Sequence, residues 1–189
     1  MEIVIQELVA GDEVNWNIID ASFTVDSTLV LSLRGRHIGF TVKEEVSSYT
    51  KSYTEGRSEE QSLEEADKDY SAYIDSPDQI VYLACIERQV VGYIVLKRNW
   101  NKFAYAELIA VDKKYRGYGI GRKLIEQAKR WARNGGMLGI MLETQTNNVG
   151  ACQFYESCGF VIGGLDLHLY QGFPKHKEEI AIFWYLIFE

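Results

Sequence analysis

The chain has 189 residues, 47% of them hydrophobic, and carries 27 acidic against 20 basic side chains for a net charge of −7. That length suits one domain with a core of ordinary size, and the acidic balance excludes indiscriminate nucleic-acid binding while leaving room for a cationic partner. Three cysteines in no CxxC spacing and three scattered histidines exclude a disulfide scaffold and give no ligand set for zinc, so a cytoplasmic location and no metal are expected. The start MEIVIQELVAGDE has no basic region, and no apolar run reaches the ~18 residues of a membrane span; neither export nor membrane association is expected.

In chain order, residues 2–9 read as a strand, and Trp16, Ile19 and Ala21 as a short helix. Two β-like runs, 27–33 and 37–42, are joined by Arg34-Gly35-Arg36 as a hairpin. Ser58-Glu59-Glu60-Gln61 has capping-box spacing and opens a helix with Leu63, Ala66, Tyr70 and Ile74 on one face, ahead of Pro77. Strands over 79–88, 90–98 and 103–111 follow each other through short turns as an antiparallel meander. Residues 120–134 place Ile120, Leu124, Ile125, Ala128, Trp131 and Ala132 at helical period before Gly135-Gly136. A buried strand over 138–142, a helix capped by Asn148 and stopped by Gly159, and strands over 160–170 and 179–188 complete the chain. A strand-helix-strand crossover within a mostly antiparallel set predicts an α+β fold, a mixed central sheet with helices on both faces.

Charge is distributed unevenly along this order. Residues 44–78 hold eleven acids against Lys51, Arg57 and Lys68, whereas residues 112–135 hold eight bases against Asp112 and Glu126. Inside the basic stretch, Arg116-Gly117-Tyr118-Gly119-Ile120-Gly121-Arg122 lies between a strand and a helix. Alternating glycines let the backbone approach a ligand, and the helix start offers N–H groups to an anion such as a pyrophosphate. A dinucleotide fingerprint would require glycine at Arg122, and no GK[ST] follows for a P-loop. The competing reading is a plain flexible turn.

A second segment, Asn148-Val149-Gly150-Ala151-Cys152-Gln153-Phe154-Tyr155-Glu156-Ser157-Cys158-Gly159-Phe160, tips the balance. A [QR]xxGxG run (Arg116, Gly119, Gly121) followed by NxxAxx[FL]YxxxGF (Asn148, Ala151, Phe154, Tyr155, Gly159, Phe160) resembles the GNAT superfamily of acetyl-CoA-dependent N-acetyltransferases. The likeness covers Gln79 to the C-terminus well and the first 78 residues poorly. Within that superfamily, Met141-Leu142-Glu143-Thr144-Gln145 and Glu179-Ile180-Ala181-Ile182-Phe183-Trp184-Tyr185 resemble the streptothricin acetyltransferases. The resemblance implies a single acetyltransferase domain over 1–189, with an acceptor side in 1–78 and an acetyl-CoA core in 79–189, and a homodimer is compatible with it. It also implies that amides of Arg116, Gly117, Tyr118, Gly119, Ile120, Gly121 and Arg122 cradle the pyrophosphate of the cosubstrate acetyl-CoA, and that backbone groups of Ile109, Ala110 and Val111 pair with its pantetheine arm. Asn148 is either a helix N-cap or a ligand contact, and both readings stand.

Acetylating an amine requires removing a proton from an ammonium of pKa about 10.4, polarising a thioester and protonating the departing thiolate. Glu107, a charge within an apolar strand, is the candidate to orient the ammonium and take its proton through water; if the pleat is unbroken it shares a face with Tyr105 and Ile109. The competing reading is a solvated edge glutamate. By resemblance, Tyr155 is the proton donor to the thiolate, against a reading as a core aromatic. Cys152 and Cys158 have no neighbouring base that would make either a nucleophile. The expected activity is direct N-acetylation of a polycationic small molecule of the streptothricin type, with a protein or peptide acceptor, or a silent acetyl-CoA-binding module, as the alternatives. The acidic stretch 44–78, with Tyr49, Tyr53, Tyr70 and Tyr73, is the expected attraction for such a cation.

Overall fold

A computed structural model describes residues 2–52 and 69–189. The fold is α+β, a large, mostly antiparallel sheet with two helices among the described residues. Its strands are β1 (Val4–Glu7), β2 (Phe23–Arg34), β3 (His37–Lys51), β4 (Gln79–Ile86), β5 (Gln89–Arg98), β6 (Ala104–Val111), β7 (Gly139–Gln145), β8 (Val161–Asp166) and β9 (Ala181–Ile187). The helices are α1 (Ile120–Asn134) and α2 (Val149–Ser157). No helix among the described residues is long and apolar enough to cross a membrane.

The chain divides into two compact units, one holding β1, β4, β5, β6 and α1, the other β2, β3, most of β7, α2, β8 and β9. In the first, β1-β4-β5-β6 are neighbours in that order, all antiparallel. Alternate residues of β4 and β5, Val81, Leu83, Cys85, Tyr93 and Val95, join Leu8, Ile19 and Tyr70 in one buried cluster. α1 packs on the same strands and buries Ile120, Leu124, Ile125, Ala128 and Ala132, the stripe expected from its period. Gly92 is required for the close approach of β5 to β6, since a Cβ there would stand 2.7 Å from the Ala110 carbonyl oxygen. The meander and α1 thus lie where the pattern predicts.

The second unit holds the β2–β3 hairpin and the strand order β7-β9-β8. Trp184 on β9 is 1% exposed, and its ring meets those of Phe40 and Tyr155.

Four expectations are revised. The hairpin runs over residues 23–51 rather than 27–42. The helix expected through Ala21 is one 3₁₀ turn, Trp16–Ile18, because the Asp112 carboxylate accepts from the Asp20 N–H at 3.1 Å and draws the chain away. The strand expected over 160–170 stops at Asp166, where that side chain accepts from the His168 N–H at 2.7 Å and turns the backbone. Of the helix expected over 58–74, the opening to Lys68 lies outside the described residues, and its end is a 3₁₀ turn, Ser71–Tyr73, followed by Ile74 in extended conformation.

Candidate active site

β6 ends at Val111 and is paired along β5, Ile109 opposite Ile94, Ala110 opposite Tyr93 and Val111 opposite Gly92. A 3₁₀ turn, Lys113–Tyr115, then leads into the glycine loop, with Asp112 accepting from the Lys114 N–H at its start. Arg116 turns back on this strand end, its Nε donating to the Val111 carbonyl at 3.0 Å. Its side chain therefore shapes the loop.

Gly117 and Gly119 have φ of +83° and +82°, and a Cβ at either would meet nothing within 4 Å. Glycine is needed here for conformation, and the space beside the loop is open. Gly119 is the N-cap of α1 and, lacking a side chain, gives no cap hydrogen bond; the first turn holds no acid. Helix geometry leaves first-turn N–H groups without intrahelical acceptors, so they and the helix dipole are available to an anion. Ile120 anchors the turn in the core at 1% exposure, while Tyr118 is 62% exposed. Gly121 and the exposed Arg122 continue into the basic surface of α1. Residues 116–122 thus form one contiguous run that leads into the start of α1.

Glu107 lies on the same strand but out of its regular pleat. Val95 pairs with Leu108 and Leu96 with Ala106, so Glu107 is the extra residue of a β-bulge. The condition for sharing a face with Tyr105 and Ile109 is therefore not met. The Tyr73 hydroxyl donates to Glu107 Oε2 at 2.5 Å, and Lys97 Nζ forms an ion pair with Oε1, with side-chain exposures of 41% for Lys97 and 25% for Glu107. Burial, then the hydrogen bond to this carboxylate, push the Tyr73 hydroxyl well above its usual range, so it stays a donor. Tyr73 stacks edge-on with Tyr70, and Tyr70 with Trp16. Sequence reasoning missed Lys97 as Glu107's partner; the available signal was its position two residues beyond Val95 on the strand that pairs with β6.

Asn148 and Tyr155 belong to the second unit. Asn148 acts as N-cap of α2, its side chain accepting from the Ala151 N–H at 3.2 Å. Tyr155 is 6% exposed, its ring against Phe154, Phe160 and Trp184. Cys152 is fully buried, and desolvation pushes its thiol up to about 12, a poor nucleophile. Among the described residues no group of three His, Cys, Asp or Glu side chains could hold a metal.

The chain is 47% identical over 119 residues, 62% of its length and 68% of the relative's, to a streptothricin acetyltransferase of Escherichia coli. It is 42% identical over 125 residues, 66% of its length and 71% of the relative's, to streptothricin acetyltransferase A of Bacillus subtilis. A crystal structure of a Bacillus anthracis protein in complex with acetyl coenzyme A superposes with a TM-score of 0.86 at 49% identity, covering 100% of this chain and 99% of that one. The model of the Acetyltransferase (GNAT) family matches residues 33–160, a span that contains β6, the glycine loop and both helices, and on that match the chain belongs to the GNAT acetyltransferase family.

Proposed function

We propose that this protein moves the acetyl group of acetyl-CoA directly onto an amine of a polycationic small molecule of the streptothricin type. The carrying observation is the glycine loop: two residues at positive φ opening a helix whose first turn has no acid and no side-chain cap, suited to a pyrophosphate. Amides of residues 116–122 hold the phosphates, and the backbone of Ile109, Ala110 and Val111 pairs with the pantetheine arm. Asn148 orders the start of α2 by its cap, which sets where Tyr155 sits on that helix.

The acceptor ammonium first gives up a proton, which passes through water toward Glu107. Lys97 holds one oxygen of that carboxylate and Tyr73 the other, so the group is oriented before any substrate arrives. The neutral nitrogen attacks the thioester carbonyl, the C–N bond forms, the C–S bond breaks, and Tyr155 supplies the proton that converts the leaving thiolate to CoA thiol. The buried, protonated Cys152 supports direct transfer without an acyl-enzyme. In this reading residues 1–189 act as one domain, with 79–189 carrying the acetyl-CoA part and 1–78 serving the acceptor, and the three free, buried cysteines suit a cytoplasmic setting.

Thiol release from acetyl-CoA, measured against streptothricin, an aminoglycoside, spermidine and a peptide, tests this. Streptothricin is expected to give the highest kcat/KM. Absence of thiol release with streptothricin, from protein that binds acetyl-CoA, would overturn the acceptor assignment.

A further inference from the structure

The two runs that carry the narrower likeness, residues 141–145 and 179–185, lie in the second unit. There they build a polar cluster with Tyr170. Glu143 and Gln145 stand two apart on β7 and so on one face of it. The Tyr170 hydroxyl donates to Glu143 Oε1, and Gln145 Nε2 donates to the Tyr170 oxygen at 2.7 Å. The phenol has one proton, spent on Glu143, so it must receive the amide as an acceptor. That fixes the Gln145 orientation and leaves its Oε1 beside the cluster, buried and with no hydrogen-bond partner, on a residue only 7% exposed. A buried polar atom without a partner is costly and uncommon.

Charge in the same place is unbalanced in the same sense. Glu179 is held by Lys51 Nζ at 2.5 and 2.6 Å, with side-chain exposures of 6% for Lys51 and 12% for Glu179, and His176 Nδ1 meets it at 2.8 Å. Lys51 is thereby committed to Glu179. Glu143 receives one hydrogen bond, from Tyr170, and burial pushes its carboxyl above the ordinary range, against the pull of Tyr170 and Lys51. Lys51 and His176 thus both serve Glu179, while Glu143 has one neutral donor and Gln145 Oε1 none. Among the described residues, no cation is hydrogen-bonded to the Glu143 and Gln145 side of the cluster. Glu143 and Tyr170, on either side of the hydrogen bond that closes the cluster, are each only partly buried.

We propose that Glu143, Gln145 and Tyr170 form a binding site for a primary ammonium group of the acceptor and set the preference for polyamine-bearing substrates. An alkylammonium brings three N–H donors and one positive charge, which satisfies Gln145 Oε1, engages the Glu143 carboxylate and balances the charge. This deepens the acceptor reading above and rests on it. The site adds a recognition element outside residues 1–78.

The test is Glu143→Gln in the full chain, with Gln145→Met as a second variant. Both are expected to raise KM for streptothricin tenfold or more, with kcat and acetyl-CoA affinity little changed. Glu143→Gln should also leave the melting temperature equal or higher, because folding disfavours the charge on this carboxyl; a merely structural network predicts a lower melting temperature and an unchanged KM, and that result overturns the proposal. If the parent releases no thiol with streptothricin, the acceptor reading fails, and calorimetry with spermidine decides on the site alone. Binding by the parent that weakens tenfold in Glu143→Gln supports it; equal binding, or none by the parent, overturns it.

Discussion

Replacing Glu107 by glutamine separates a catalytic carboxylate from a structural one, because the structure bounds what the change can cost in stability. The substituted side chain would keep an oxygen to accept from the Tyr73 hydroxyl, which sits 2.5 Å from Oε2 of Glu107. Its amide nitrogen would face the Lys97 ammonium, donor against donor, and the pair would part. Lys97 is 41% exposed and Glu107 25%, so the ion pair is substantially screened and its loss is expected to cost about 0.2–1 kcal/mol. For a domain of this size that is a fall in Tm of no more than about 4 °C. Activity should respond on a different scale. A group that takes the acceptor's proton through water contributes roughly 10²- to 10⁴-fold, or about 2.7–5.4 kcal/mol at 1.36 kcal/mol per decade. The assay is steady-state thiol release with acetyl-CoA saturating and streptothricin varied, beside thermal unfolding of the same preparation. We expect kcat/KM to fall at least 100-fold with Tm nearly unchanged, and higher pH to restore the loss only in part, since orientation is lost with basicity. A folded Glu107→Gln protein with kcat/KM within threefold of the parent would refute the assignment and leave Glu107 as a partner for Lys97 and Tyr73.

Gly119→Glu introduces a side chain at φ +82° and a negative charge where a pyrophosphate is expected; calorimetry should detect no CoA binding, and parent-like affinity in a folded variant would mean the loop has another role. Tyr155→Phe keeps the ring contacts with Phe160 and Trp184 and should lower kcat by about 10²-fold or more with little change in CoA affinity; unchanged turnover, with transfer shown to limit the rate, reduces Tyr155 to packing. Gly92→Ala sets a Cβ 2.7 Å from the Ala110 carbonyl oxygen, and urea unfolding should show a loss of about 1–3 kcal/mol; a neutral effect would mean that β5 and β6 part without cost. Cys152, with its thiol near 12, should be about 10⁻⁴ thiolate at pH 8, so iodoacetamide should leave it unmodified in the folded protein and Cys152→Ala should retain turnover, whereas a trapped acetyl-cysteine would contradict direct transfer.

The elements that were legible in the sequence are those whose burial is periodic. α1 shows its apolar stripe and its terminating glycines, and β4 to β6 are apolar runs closed by short turns. The second half of β3 is exposed on both faces up to Thr50, so no alternation marks it, and the hairpin reads as shorter than it is. Leu165, Leu167 and Leu169 imitate a continuing strand although each is more than 40% exposed; the turn at Asp166 depends on one side-chain hydrogen bond that no period reveals. The bulge at Glu107 is equally hidden, because it is a property of the register between β5 and β6.

The two ends of the proposed reaction differ in the same way. The cosubstrate side is contiguous, running from Ile109 through one short turn to Arg122, and it works through backbone amides and glycine φ, so its signal survives in a motif. The acceptor cluster works through side chains brought together from far apart: Lys51 reaches Glu179 across 128 positions, and Tyr170 reaches Glu143 across 27. No spacing rule connects them. Charge counting along the chain marked residues 44–78 as the acidic region, yet the partly buried carboxylate whose one hydrogen-bond donor is neutral lies at 143. A solvated acidic run attracts a cation only over the ~8 Å of screening at physiological salt. A desolvated carboxylate beside an unpartnered amide oxygen discriminates between amines, since an acceptor without a well-placed ammonium leaves both groups unmatched.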